Sequence, residues 1–304
     1  MKKFLLKIIL FFAIAVVMDL AFDKMFKLLR HEARGGQTYK NEYLFNNCKD
    51  DILILGSSRA NHHYVPSVLE DSLGLTCYNA GEEGCGIIPA YIRYRLVSDR
   101  KKPKLIIYEI TPGYDYLTDQ GGYSSYLGAV RQYADRKEVR DMYLDFSDEF
   151  GQLRLLSGMY RNNSCIIKNI KDVFKPTPDN KGYAPLLGVI NPQGEVKSQI
   201  IHKAIDTLKL SYIERLISET KSDGVSLAFF ISPFFNEQDD MVEYEPIIAL
   251  SAKYGIPVIN NSANKQFVGV TDYFQDYTHL NNNGAVTYTQ YIIPQVSDLL
   301  NIVN

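Results

Sequence analysis

The chain has 304 residues, 46% hydrophobic and 22% charged, with 33 Lys and Arg against 35 Asp and Glu for a net charge of −2. This composition supports one large domain or two small ones around a sizeable core, and excludes a disordered chain. The near-zero balance argues against a nucleic-acid partner held by phosphate neutralisation.

Met1-Lys2-Lys3 and Lys7 open the chain, and Ile8 to Met18 are all apolar before Asp19 interrupts. Phe4 to Phe22 approaches the roughly 20 residues a membrane span needs, provided that Lys7 and Asp19 lie near its ends. We read residues 1–23 as an uncleaved signal anchor, because the Ala13-Ile14-Ala15 cleavage-like triplet falls inside the apolar run. A cleaved signal is the second reading. A buried amphipathic helix is the third, since Ile8 to Met18 has no polar face. The lysines before the run favour an extracytoplasmic body, whereas Lys24, Lys27 and Arg30 oppose that orientation.

Residues 24–50, with Gly35-Gly36, are expected to form a stalk. Asp51-Ile52-Leu53-Ile54-Leu55 is a first buried strand, ended by Gly56-Ser57-Ser58-Arg59. Pro66 to Leu73 reads as a helix, Leu75 to Tyr78 as a strand, Ile87 to Val97 as a helix and Lys104 to Ile110 as a third strand. That alternation predicts an α/β fold with a mostly parallel sheet. It stops at Pro112, and a mostly helical insertion is expected over about 112–195. Its tyrosines, Tyr114, Tyr116, Tyr123, Tyr126, Tyr133, Tyr143 and Tyr160, suit sugar binding or, preferentially, packing. Lys181-Gly182-Tyr183-Ala184-Pro185 reads as a turn folding back to the sheet. Ser198 to Lys221 is predicted as a long helix with Ile201, Ile205 and Leu208 in its apolar set. Val225 to Ile231 and Ile256 to Ile259 are further strands. Helices are expected over Met241 to Tyr254 and from Gly284 to Leu300, the last kinked at Pro294.

Cys48, Cys77, Cys85 and Cys165 form no C-x-x-C pair. A Cys77–Cys85 bridge is one reading, four buried thiols the other and the favoured one.

Three motifs carry chemistry. Ser58 follows a buried strand, where open α/β sheets place ligands. Asp276-Tyr277-Thr278-His279 puts an acid three residues before a histidine, so that the carboxylate can accept the Nδ1–H and leave Nε2 as a base. A serine needs such a base to become a nucleophile. Asn79-Ala80-Gly81 follows the second strand, and its glycine N–H could face an oxyanion. Each motif alone also reads as a turn or helix cap, and for Ser58 alone that reading is the stronger.

Together, Gly56-Ser57-Ser58, Gly81 and Asp276-Tyr277-Thr278-His279 resemble the SGNH (GDSL-type) hydrolase superfamily, over residues 50–112 and 198–300. The resemblance implies a three-layer α/β/α sandwich over 51–304. It implies Ser58 as nucleophile, His279 as base, Asp276 as its orienter, and the N–H groups of Ser58 and Gly81 as oxyanion donors. Two blocks depart from the pattern. Ser57 stands where the family carries Asp, and Glu109-Ile110-Thr111-Pro112 lacks the expected asparagine. An α/β-hydrolase elbow at Gly56-Ser57-Ser58-Arg59-Ala60 ranks lower, because it follows the first strand.

The expected activity is ester hydrolysis on O-acyl, chiefly O-acetyl, groups of an envelope or extracellular glycan, with no metal or cofactor. An acyltransferase on the same residues and a non-catalytic binding protein are the alternatives. His62 and His63 read as a solvent-facing pair rather than metal ligands. Arg59 reads either as an anion site or as a carboxylate partner.

Overall fold

A computed structural model describes residues 1–118, 128, 130–192, 204–237 and 241–301. In chain order the helices and strands are α1 (Lys2–His31), α2 (Gly36–Asn46), β1 (Ile52–Gly56), α3 (Ser58–His63), α4 (Pro66–Leu73), β2 (Cys77–Asn79), α5 (Ile87–Ser98), β3 (Leu105–Glu109) and α6 (Pro112–Asp115). After these come α7 (Lys137–Asp145), α8 (Gly151–Leu155), α9 (Gly158–Asn162), α10 (Ile166–Phe174), α11 (Thr207–Asp223), β4 (Ser226–Ile231), α12 (Glu245–Tyr254), β5 (Val258–Asn260) and α13 (Asn282–Asn301). The chain forms two compact units, one of Met1–Tyr43 with Gly121–Asp179, the other of Leu44–Gln120 with Asn180–Asn304.

The second unit is built on a five-stranded parallel sheet in the order β2-β1-β3-β4-β5. Every residue of β1 and β3 is buried, as their unbroken aliphatic runs require for a sheet covered on both faces. Ile52, Ile54, Leu105, Ile107, Ala228 and Phe230 pack with Ala60 of α3, Leu69 of α4, Tyr64 between them, and Tyr288, Ile292 and Val296 of α13. The alternate side chains, Leu53, Leu55, Ile106, Tyr108 and Phe229, are buried on the face that α5 and α11 cover. This is the three-layer α/β/α architecture that the resemblance implies. Because β1 has β2 on one side and β3 on the other, the direction of winding reverses at β1. Open α/β sheets bind ligands outside the carboxyl ends of their strands at such a reversal.

Several boundaries move. The helix expected from Ser198 begins at Thr207, where the Asp206 carboxylate accepts from the N–H groups of Leu208 and Lys209, both at 3.1 Å. Ile205 instead forms a bridge with Leu117 and is 47% exposed, while Ile201 lies outside the described residues. The last helix begins at Asn282 and runs through Pro294. The Lys181–Pro185 turn does fold back: Asn79 N–H donates to Lys181 O at 2.9 Å and Ala184 N–H to Asn61 O at 3.1 Å. All four cysteines are free and buried, so no Cys77–Cys85 bridge forms.

The first unit is helical. Within residues 24–50, α1 continues to His31, and α2 follows after a short turn. Asp23, Phe26 and Arg30 of α1 are buried within this unit. The Arg30 guanidinium lies 4.7 Å over the Tyr133 ring and donates to Asn162 Oδ1 at 2.8 Å. Tyr133 and Tyr143 are buried here, and Tyr116 in the sheet unit, as the packing reading expects. Tyr123 and Tyr126 lie outside the described residues.

Candidate active site

β1 ends in Gly56, whose φ of +133° and whose contact with β3 both demand glycine: a Cβ there would stand 2.5 Å from Glu109 O. The chain then turns through Ser57 into α3, so that Ser58 occupies the first helical position, where a backbone N–H has no partner within the helix. Ser58 Oγ lies 2.9 Å from His279 Nε2. On the other side of the ring, His279 Nδ1 lies 2.9 Å and 3.1 Å from the two Asp276 oxygens. The Asp276–His279 turn is self-organised, because Asp276 Oδ1 also accepts from the N–H groups of Thr278 and His279 at 2.8 Å each. Burial pushes the Asp276 carboxyl up. The bonds from His279 and from the Thr278 N–H outweigh it and hold the group well below the usual carboxylate range. The structure therefore brings Ser58 to an acid–histidine turn whose His279 lies 221 positions later in the chain.

Against this geometry, comparisons with known proteins add little. No family profile matches the chain, and no curated protein does. Among solved structures, the chain is similar to a protein from Desulfitobacterium hafniense DCB-2 named for the G-D-S-L lipolytic family, at 10% identity and a TM-score of 0.41, over 80% of this chain and 98% of that one. It is also similar to a Bacteroides fragilis NCTC 9343 protein named as an acylhydrolase, at 10% identity and 0.41, over 88% and 97%. A third is a carbohydrate acetylesterase family member from Sinorhizobium meliloti, at 10% identity and 0.34, over 83% and 99%. Likenesses this distant assign neither activity nor substrate.

Gly81 departs from expectation. Its N–H donates to Asn79 Oδ1 at 3.0 Å, so it is committed within its own turn rather than offered to an oxyanion. Glycine is needed there for a different reason: a Cβ would sit 2.5 Å from Asn61 N and 2.7 Å from the Ala60 Cβ, against the backbone of α3. Asn79 completes that clamp by donating through Nδ2 to Ala60 O at 2.7 Å and Tyr64 O at 3.0 Å. This turn holds the helix that carries Ser58.

His62 and His63 are not a solvent-facing pair. They close α3, and their relative exposures are 7% and 0%. His62 Nδ1 lies 2.5 Å from Ala184 O, and its Nε2 meets Glu83. Both rings stand edge-on to His279, at centroid distances of 5.8 Å and 6.2 Å. His63 Nε2 accepts from the Leu280 N–H at 3.0 Å, which leaves Nδ1 as the protonated nitrogen. Nδ1–H then donates to Ser232 Oγ at 2.7 Å, and the Ser232 hydroxyl donates to Glu109 Oε1 at 2.7 Å. Burial, with the Arg59 charge next, pushes the His63 pKa well down, in keeping with a neutral ring.

Arg59 belongs to the same network and is not an anion site. It is 3% exposed. Its Nη2 donates to Ser232 Oγ at 2.8 Å, and its Nε lies 3.2 Å from Glu109 Oε1 as an ion pair rather than an aligned hydrogen bond. Glu109 takes the Tyr64 hydroxyl as well, and burial pushes its carboxyl up against the opposing pull of Arg59. Thus the block expected to supply an asparagine supplies a fully buried glutamate and then Thr111, whose hydroxyl pairs with Ser57 Oγ at 2.7 Å. Sequence reading missed this network. Its one signal was an acidic residue, Glu109, ending an otherwise apolar strand.

Proposed function

We propose that this chain is a serine ester hydrolase of the SGNH type. The observation that carries the reading is the unbroken line from Ser58 Oγ through His279 to Asp276, with 2.9 Å on each side of the ring. In this mechanism Ser58 Oγ attacks the ester carbonyl carbon while its proton passes to His279 Nε2. Asp276 holds Nδ1–H and stabilises the imidazolium that forms. The tetrahedral intermediate collapses, the alcohol leaves with the proton from Nε2, and an acyl group remains on Ser58. Water then loses a proton to Nε2 and attacks the acyl carbonyl, releasing the acid and restoring the serine.

The Ser58 N–H, at the first position of α3, is the oxyanion donor in this scheme. One missing donor costs about 10²–10³ in rate. With Gly81 committed to Asn79, the enzyme is expected to be slow on unactivated esters. The substrate proposed is an O-acetyl group on an envelope or extracellular glycan, supported by the family resemblance and by the apolar α1 as a membrane anchor with an extracytoplasmic body. Transfer of the acyl group to a sugar hydroxyl would use the same residues, with the acceptor in place of water.

The test is p-nitrophenyl acetate hydrolysis by the full chain beside Ser58→Ala and His279→Ala. Loss of activity in both variants, with folding intact, is the expected result. Activity retained in Ser58→Ala overturns the proposal.

A further inference from the structure

Asp19 is the polar interruption in the apolar part of α1, and the structure gives it a structural task. Its carboxylate accepts from Ser157 Oγ at 2.7 Å, Gly158 N–H at 2.7 Å and Met159 N–H at 2.9 Å, capping the start of α9. The contact is close: a Cβ on Gly158 would meet the Asp23 Cβ at 2.3 Å, and Arg161 pairs with Asp23 at 2.6 Å. The start of α9 is therefore fixed against α1 where the apolar run ends.

The residues just before that point are α8 and its flanks. Phe150, Leu153 and Leu156 are 56%, 65% and 72% exposed, and their spacing of three puts them on one helical face. Gly151 and Leu155 are buried on the other side. Leu156 adjoins Ser157, which is bonded to Asp19, so this apolar face begins at the level of the last apolar turn of α1. Charged and aromatic groups flank it: exposed Asp148 and Glu149 precede Phe150, Arg154 pairs with Asp148, and Arg131 lies 4.3 Å and Arg154 5.8 Å over the Tyr160 ring. Arg and Tyr beside an apolar face are the composition of a membrane–water boundary.

We propose that Phe150, Leu153 and Leu156 enter the lipid boundary beside the exit of α1 and form a second membrane attachment. It rests on the reading of α1 as an anchor. Lipid is the occupant because the face adjoins, through the Ser157–Asp19 bond, a helix whose Phe4–Phe22 side chains are themselves mostly exposed. A short apolar helical face with charged residues of both signs beside it lies in the boundary plane rather than crossing it.

The chain contains no tryptophan, so single-tryptophan reporters need no background removed. The full chain would be placed in phosphatidylcholine–phosphatidylglycerol vesicles without bromine, with bromine on the acyl chains near the headgroup, or with bromine near the bilayer centre. The variants are Leu153→Trp, Leu156→Trp and Phe11→Trp. Expected is blue-shifted emission from positions 153 and 156 that brominated lipid largely quenches, with position 11 quenched by deeper bromines. Quenching at 11 but not at 153 or 156 overturns the second attachment and leaves the anchor standing. Blue-shifted but unquenched emission at 153 and 156 also overturns it, because protein then covers the face. No quenching at 11 overturns the anchor reading, and this inference with it.

Discussion

Two aspartates, one in each unit, meet nearly the same set of partners. Asp276 accepts from two backbone N–H groups and the His279 ring, and Asp19 from two backbone N–H groups and the Ser157 hydroxyl. The difference is distance along the chain. The Asp276 partners are two and three residues away, and those of Asp19 are 138 to 140 away. A turn closed by near neighbours needs little help from the rest of the fold, so it can hold an imidazole in one orientation. A cap made across the chain exists only when its unit is folded, so it joins a helix to a body.

The largest effect expected from breaking the local arrangement is on rate. Asp276→Asn should lower kcat by about 10⁴, the scale set by losing the correct histidine tautomer in a serine triad. A loss confined to KM would show that Asp276 has no part in orienting His279. The same variant reports on pH. A carboxyl depressed in the native state contributes stability that is complete above its ordinary pKa of about 4 and is lost as pH falls through the native value. Asp276→Asn should therefore have the shallower acid limb in a plot of unfolding free energy against pH. Identical limbs would contradict the depressed native value.

Next come the groups behind the site. Glu109→Gln leaves the buried Arg59 charge without its partner, and removing one member of a buried pair costs about 3–5 kcal/mol. Urea unfolding measures it, and a change below about 1 kcal/mol, the scale of an exposed pair, would mean that Arg59 finds water. His63→Leu removes the acceptor of the Leu280 N–H and the donor to Ser232. Unsatisfied buried groups of this kind cost about 1–3 kcal/mol each. Because Leu280 follows His279, activity should fall in folded protein, with kcat changed more than KM. His63→Gln, which can keep an acceptor and a donor, should recover part of it.

What the sequence made legible follows the same division. Four aliphatic residues in a row, Ile52 to Leu55, announce a strand buried on both faces, and Asp276 to His279 announce a turn, because the interactions responsible lie within a few residues. The Ser58–His279 meeting was legible only by combining two such signals with family order. Gly81 was placed in the right turn but given the wrong task, since the need for close approach to α3 and the need for a free N–H leave the same residue in the sequence. His62 and His63 looked solvent-facing because most of their partners, Ala184, Ser232 and Leu280, are more than 100 residues away, and even Glu83 is 21 away. Arg30, within residues 24–50, showed no sign of burial for the same reason: it acquires its burial from Tyr133 and Asn162.

The smallest effect tests the long-range cap. α9 has five residues, too few to persist without tertiary support. Asp19→Ala removes the acceptor for Gly158, Met159 and Ser157, and losing an N-cap costs about 0.5–2 kcal/mol. Hydrogen exchange at residues 157–162 should then quicken by about 2- to 30-fold, the same free energy expressed as a ratio. Asp19→Asn keeps one acceptor oxygen and should fall between the two. Hydrolysis should be unchanged, because every group assigned to it lies in the sheet unit. Unaltered exchange in Asp19→Ala would mean that Asp23, Phe26 and Arg30 hold α1 without it, and Asp19 would return to being a polar interruption in an apolar helix.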